Sequence, residues 1–156
     1  LTIEENLALA YSRNKRGSLG VAVTKGERRM FQEALAAFHM GLEERMNTKV
    51  GLLSGGQRQV VTLLMATIVP PKLLLLDEHT AALDPATAQR VIEITNEVVQ
   101  RHHLTTLMIT HSIAAALKTG TRTIMLDAGK IILDMNAEQR SNVTPEDLIH
   151  RYNAKQ

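Results

Sequence analysis

Leu73-Leu74-Leu75-Leu76-Asp77-Glu78 is the stretch on which the fold turns. An apolar run that follows Pro70-Pro71 so closely predicts a short strand over 73–77, buried on both faces as strands of a parallel sheet are. Its end in two carboxylates puts charge at the carboxyl edge of such a sheet, where ligands of open α/β folds bind. Asp77 can hold Mg²⁺ directly or through water. Glu78 can orient and deprotonate a water for in-line attack on a γ-phosphate. Taken alone, the stretch reads more readily as a core strand with a solvated acidic end.

Upstream lies Leu53-Ser54-Gly55-Gly56-Gln57. Adjacent glycines opening a helix, here predicted over 56–68, leave backbone N–H groups unobstructed at the positive end of the helix dipole, which suits an anion. Ser54 adds a hydroxyl donor, although a bare Ser-Gly-Gly reads more readily as an ordinary glycine turn before a helix. Downstream, Asp84-Pro85 predicts a helix start, with Asp84 as cap and Pro85 in the first helical position. The apolar stripe of that helix is Ala88, Val91, Ile92, Thr95, Val98 and Val99. A second strand is predicted over 105–110, and His111 directly after it can hydrogen-bond a γ-phosphate or the attacking water. Single histidines are more often surface or core residues, and the other five have no such setting. A short helix over 113–118 follows, then strands over 123–126 and 131–133 flanking the turn Asp127-Ala128-Gly129-Lys130, then a helix capped near Thr144.

Before Ser54 the pattern is helical. Thr2 is placed to cap a helix over 3–12, with Glu4 and Glu5 in its first turn. A basic loop is predicted over 13–26, a second helix over 27–45 and a connector over 47–53. Arg13, Lys15, Arg16, Lys25, Arg28 and Arg29 form either a face for a membrane partner or a solvated surface. Strand alternating with helix after a helical segment gives an α/β fold with a parallel sheet.

Composition narrows the function. The chain has no cysteine, which excludes disulfides and thiolate metal sites. A net charge of +2 and 3% aromatic residues leave little with which to grip or stack nucleic acid, so no nucleic-acid partner is expected. No apolar run has the length of a bilayer span.

Ser54-Gly55-Gly56-Gln57, Leu73 to Glu78, Ala82-Leu83-Asp84 and His111, in this order, resemble the ABC ATPases. The resemblance covers most of the chain. It implies the C-terminal half of a RecA-like P-loop NTPase fold: a helical subdomain over 1–53, the ATPase core over 54–135 and a helical tail over 136–156. It also implies that Ser54, Gly55, Gly56 and Gln57 are the signature that contacts the γ-phosphate of ATP held by a second ATPase subunit, in a homodimer. Asp77 matches the Walker B aspartate linked to Mg²⁺, Glu78 the catalytic glutamate, Asp84 the D-loop and His111 the switch histidine. ATP and Mg²⁺ are the implied cofactors.

Two departures are local: His79-Thr80-Ala81 stands where the family usually has Pro-Thr-Ser, and Ser112 follows the switch histidine in place of the common Asp. A larger one is an absence. Gly-x-x-x-x-Gly-Lys-[Ser/Thr] does not occur, since Gly129-Lys130 is followed by Ile131, and the Q-loop is missing too. The chain is therefore expected to be a piece of a longer motor and inactive alone. The parent is expected to be the ATP-hydrolysing subunit of a transporter. It would sit at the cytoplasmic face of the membrane through permease subunits and be served by a solute-binding protein. Residues 127–152 bear a fainter resemblance to importers of amino-acid-like solutes. The alternatives are a non-transport ABC ATPase and a non-catalytic half-cassette that only pairs with other subunits.

Overall fold

A computed structural model describes residues 1–13 and 23–153 of the chain, in two compact units, Leu1–Leu107 and Met108–Gln156. The predicted loop over 13–26 falls mostly outside the described residues.

The first unit opens with α1 (Ile3–Ser12) and α2 (Lys25–Ala36). Both begin with a capping box: the hydroxyls of Thr2 and Thr24 accept from the N–H groups of Glu5 and Glu27, whose carboxylates reach back to the cap N–H groups. The predicted second helix is cut short, ending at Ala36 instead of near residue 45. His39 and Gly41 take positive φ values of 54° and 66°, which no α-helix accommodates, so the chain turns there. Phe38 and Leu42 stay buried all the same, because they pack from the turn. A 3₁₀ turn at Val50–Leu52 then leads to α3 (Gly55–Thr67).

Three of the basic side chains are engaged within the unit. Arg28 pairs with Glu4 across α1 and α2, and Arg29 lies 2.9 Å from Glu33. Arg13 Nη2 donates to the Met65 carbonyl at 2.5 Å, satisfying the exposed end of α3.

The strand β1 (Leu74–Asp77), the helix α4 (Pro85–Arg101) and the strand β2 (Thr106–Ile109) form a β-α-β succession in which β1 and β2 are neighbours in one sheet. Leu74 N donates to Thr105 O at 2.9 Å. One core joins the unit: Ile3, Leu7, Phe31, Leu35, Leu42, Met46, Val60, Leu64, Leu74, Val91, Ile94 and Val98 are all buried in it. The burial expected on both faces of β1 is not found in this chain. Leu74 is 4% exposed but Leu73 and Leu75 are 51% and 65% exposed, because helices pack on one side of the strand only.

The second unit holds α5 (Ile113–Lys118), the antiparallel hairpin of β3 (Arg122–Asp127) and β4 (Lys130–Asn136), α6 (Ala137–Ser141) and α7 (Pro145–Asn153). The hairpin turn is the one read from sequence, with Ala128 and Gly129 both at positive φ, 45° and 75°, as a two-residue primed turn requires. Arg140, 7% exposed, donates to the carbonyls of Gly120, Leu117 and Thr119, which the end of α5 would otherwise leave unsatisfied. No helix among the described residues is long and apolar enough to cross a membrane.

Candidate functional site

The Ser54 side chain caps α3. Its Oγ accepts from Gln57 N at 3.3 Å, and Gln57 Oε1 accepts from Ser54 N at 3.2 Å, a third reciprocal box. With its oxygen taken as acceptor, the Ser54 hydroxyl keeps its proton for an outside acceptor. Gln57 Oε1 also accepts from Arg45 Nη1 at 3.2 Å, a link to the preceding turn that no local pattern signals. The N–H groups of Gly55 and Gly56 belong to the first turn, which has no intrahelical acceptors for them.

The two glycines differ in what surrounds them. A Cβ on Gly55 would lie 2.8 Å from Leu83 Cδ2, the far end of a flexible side chain. A Cβ on Gly56, which is buried, would collide with the methyl of Thr87, a β-branched residue in the first turn of α4. The α3 N-terminus is therefore set directly against Leu83 and Thr87, on either side of Asp84. Gly56→Ala is expected to destabilise the chain by about 1–3 kcal/mol through overpacking. Adding Thr87→Ser, which removes the methyl, should recover most of that loss, whereas Gly55→Ala should cost little; urea unfolding of the variants measures all of these.

Asp77 ends β1 and is exposed. Glu78 follows with φ at 45°, a left-handed conformation that costs a non-glycine residue roughly 1–3 kcal/mol and recurs where side chains must be aimed. The turn is held by Ala81 N donating to Glu78 O at 3.0 Å and Leu83 N donating to Thr80 O at 3.2 Å. It delivers the chain to Asp84, whose Oδ1 accepts from Thr87 N at 3.0 Å as the predicted N-cap of α4, with Pro85 next. The hydrogen bonds from Thr87 hold the Asp84 carboxyl below the usual carboxylate range. That preference for the ionised form keeps the cap intact until pH falls below the ordinary aspartate value. His79 turns inward, and its Nε2 lies 3.2 Å from Thr95 Oγ1 while burial lowers its pKa.

Ser54, Gly55, Gly56, Gln57, Asp77, Glu78 and Asp84 thus all belong to the first unit, and the α3 start and the α4 start are in direct contact within it. His111 belongs to the second unit, exposed in the turn between β2 and α5. Beside it, Ser112 caps α5 by accepting from Ala115 N at 3.2 Å. Among the described residues no group of three or more His, Asp or Glu side chains could hold a metal. A cation at Asp77 would have to draw its other ligands from phosphate oxygens and water, as Mg²⁺ on a nucleotide does. Asp77, at an exposed sheet edge, fits that arrangement.

The chain is similar to known proteins along most of its length. It is 40% identical over 152 residues to a tyrosine transport ATP-binding protein of Clostridioides difficile, covering 97% of this chain and 60% of that protein. It is 36% identical over 131 residues to a methionine import ATP-binding protein of Listeria monocytogenes, covering 84% of this chain and 36% of that protein. The chain therefore spans about 60% or less of the length of these curated relatives. An inward-facing ABC transporter superposes with a TM-score of 0.78 at 22% identity, covering 98% of this chain and 59% of that one, which speaks for the fold. A dimeric ATP-binding cassette in a post-hydrolysis state with ADP and Pi gives 0.70 at 28% identity, covering 88% and 57%. The fold is the α/β, RecA-like fold of ABC ATPase cassettes, as expected. Since the ABC transporter family's profile also matches residues 1–81, this chain belongs to that family.

Proposed function

We propose that the chain supplies the signature and hydrolysis elements of an ATP-driven motor that energises solute import across a membrane. The observation that carries this reading is the packing of the Ser54-capped α3 start onto Leu83 and Thr87 beside Asp84. That contact ties the segment matching the signature to the segment matching the D-loop, so that a displacement at one is felt at the other.

The roles follow from the chemistry of each group. The Ser54 hydroxyl and the N–H groups of Gly55 and Gly56 would contact the γ-phosphate of ATP held by a second ATPase subunit, with Gln57 holding Ser54 in place. Asp77 would hold Mg²⁺, which supplies charge neutralisation on the phosphates. Glu78 would accept the proton of the attacking water, and His111 would donate to the γ-phosphate. Asp84 would keep the α4 start ordered at the subunit junction. The phosphate cradle would come from outside these 156 residues. The division into a helical subdomain over 1–53, a core over 54–135 and a tail over 136–156 belongs to the same reading.

The names of these relatives, tyrosine transport and methionine import, favour an importer whose cargo is amino-acid-like. Under the same reading the motor sits at the cytoplasmic face through permease subunits, and a solute-binding protein serves the transporter. Mg-ATP turnover should be undetectable for the 156-residue chain alone and present in the assembled transporter. Robust turnover by the isolated chain, lost in Glu78→Gln, would show that it needs no outside cradle and overturn that part of the reading. An assembled transporter without ATP hydrolysis would overturn the whole.

A further inference from the structure

A residue held at positive φ, as Glu78 is at 45°, keeps its place only when its surroundings over-determine it. The backbone bonds of the turn, Ala81 N to Glu78 O and Leu83 N to Thr80 O, are local and move with it. His79 links the turn by a hydrogen bond to a rigid helix. Its Nε2 lies 3.2 Å from Oγ1 of Thr95, in the middle of α4. Thr95 is 2% exposed, and its hydroxyl donates to Val91 O at 2.8 Å. A hydroxyl has one proton, so toward His79 it can only accept, and the imidazole must carry its proton on Nε2.

We propose that His79 is a positioning residue for Glu78: its Nε2–H bond to Thr95 fastens the strained turn to α4 and holds the Glu78 carboxylate in the attitude that hydrolysis requires. The inference rests on the reading of Glu78 as general base. It also accounts for the departure from the Pro that related sequences usually carry after the glutamate. A proline stiffens the turn through its own ring. A histidine stiffens it through a bond to a neighbouring helix, which makes Thr95 part of the device.

The test has two parts. In the assembled transporter, His79→Leu and Thr95→Val should each lower kcat about tenfold or more, the scale expected for a reacting group displaced by an ångström or less, with KM for ATP unchanged. The double variant should be no slower than either single one, and His79→Gln, whose amide N–H reaches about as far as Nε2–H, should restore most of the rate. On the 156-residue chain, ¹⁵N–¹H correlation of the histidine rings should show His79 as the Nε2–H tautomer, and Thr95→Val should shift its signals. An Nδ1–H tautomer, or wild-type kcat in His79→Leu alongside turnover that Glu78→Gln abolishes, would overturn the inference alone. Turnover that is indifferent to Glu78→Gln would overturn the assignment of Glu78 and the inference with it.

Discussion

In the assembled transporter, Glu78→Gln is expected to lower kcat by roughly 10²- to 10⁴-fold, the range for loss of a positioned general base. Glutamine has nearly the same shape and can keep the left-handed turn at residue 78, where φ is 45°. What it cannot do is accept the proton of the attacking water. The loss should therefore fall on kcat and leave nucleotide affinity close to wild type. Single-turnover hydrolysis and equilibrium ATP binding, measured on the same preparation, separate the two. Equal weakening of binding and turnover would mean that residue 78 holds nucleotide and does not activate water. Asp77→Asn should behave differently, since Asp77 is the residue placed to hold Mg²⁺, and its loss should weaken Mg-ATP binding itself.

The second large effect lies in the core. Phe31→Ala is expected to destabilise the chain by about 3–5 kcal/mol, the range for truncating a buried phenylalanine. Phe31 is fully buried on α2, and its ring meets Tyr11 edge-on, with centroids 6.0 Å apart and planes at 78°. It packs where α1, α2 and α3 share one core, so its removal leaves a cavity that no single helix can close. The midpoint of urea unfolding should fall sharply with little change in slope, as for a stability change without a change in surface exposed. Leu9→Ala, at a position 61% exposed on α1, is the matched control and should be nearly silent. Comparable losses at both positions would mean that α2 does not seal the core in solution.

Both predictions draw on features that differ in how far along the chain they reach. The helix starts at Thr2, Asp84 and Thr144 rest on hydrogen bonds spanning three residues, and the hairpin turn at Ala128-Gly129 rests on backbone preference alone. Such signals are written in adjacent residues, so they could be read directly, as could Asp77, Glu78 and the Ser-Gly-Gly run. The expected end of α2 lies too far along the chain because Phe38 and Leu42 continue its apolar spacing, and periodicity reports burial whether the backbone is helical or turning. The expected burial of β1 on both faces failed for a related reason: four leucines state a demand for cover that these 156 residues meet on one side.

The family, the order of the chemical groups and most element starts are legible in the chain before it folds, because these depend on residue identity and local spacing. It takes the folded chain to show that Gly56 is needed for close approach to Thr87, that Arg140 closes the end of α5 and that His79 reaches Thr95. Those contacts join residues 16 or more positions apart. No local preference encodes them: at Gly56 two packed helix starts leave room for a hydrogen and none for a methyl group, and the other two are hydrogen bonds whose partners only the fold brings within reach.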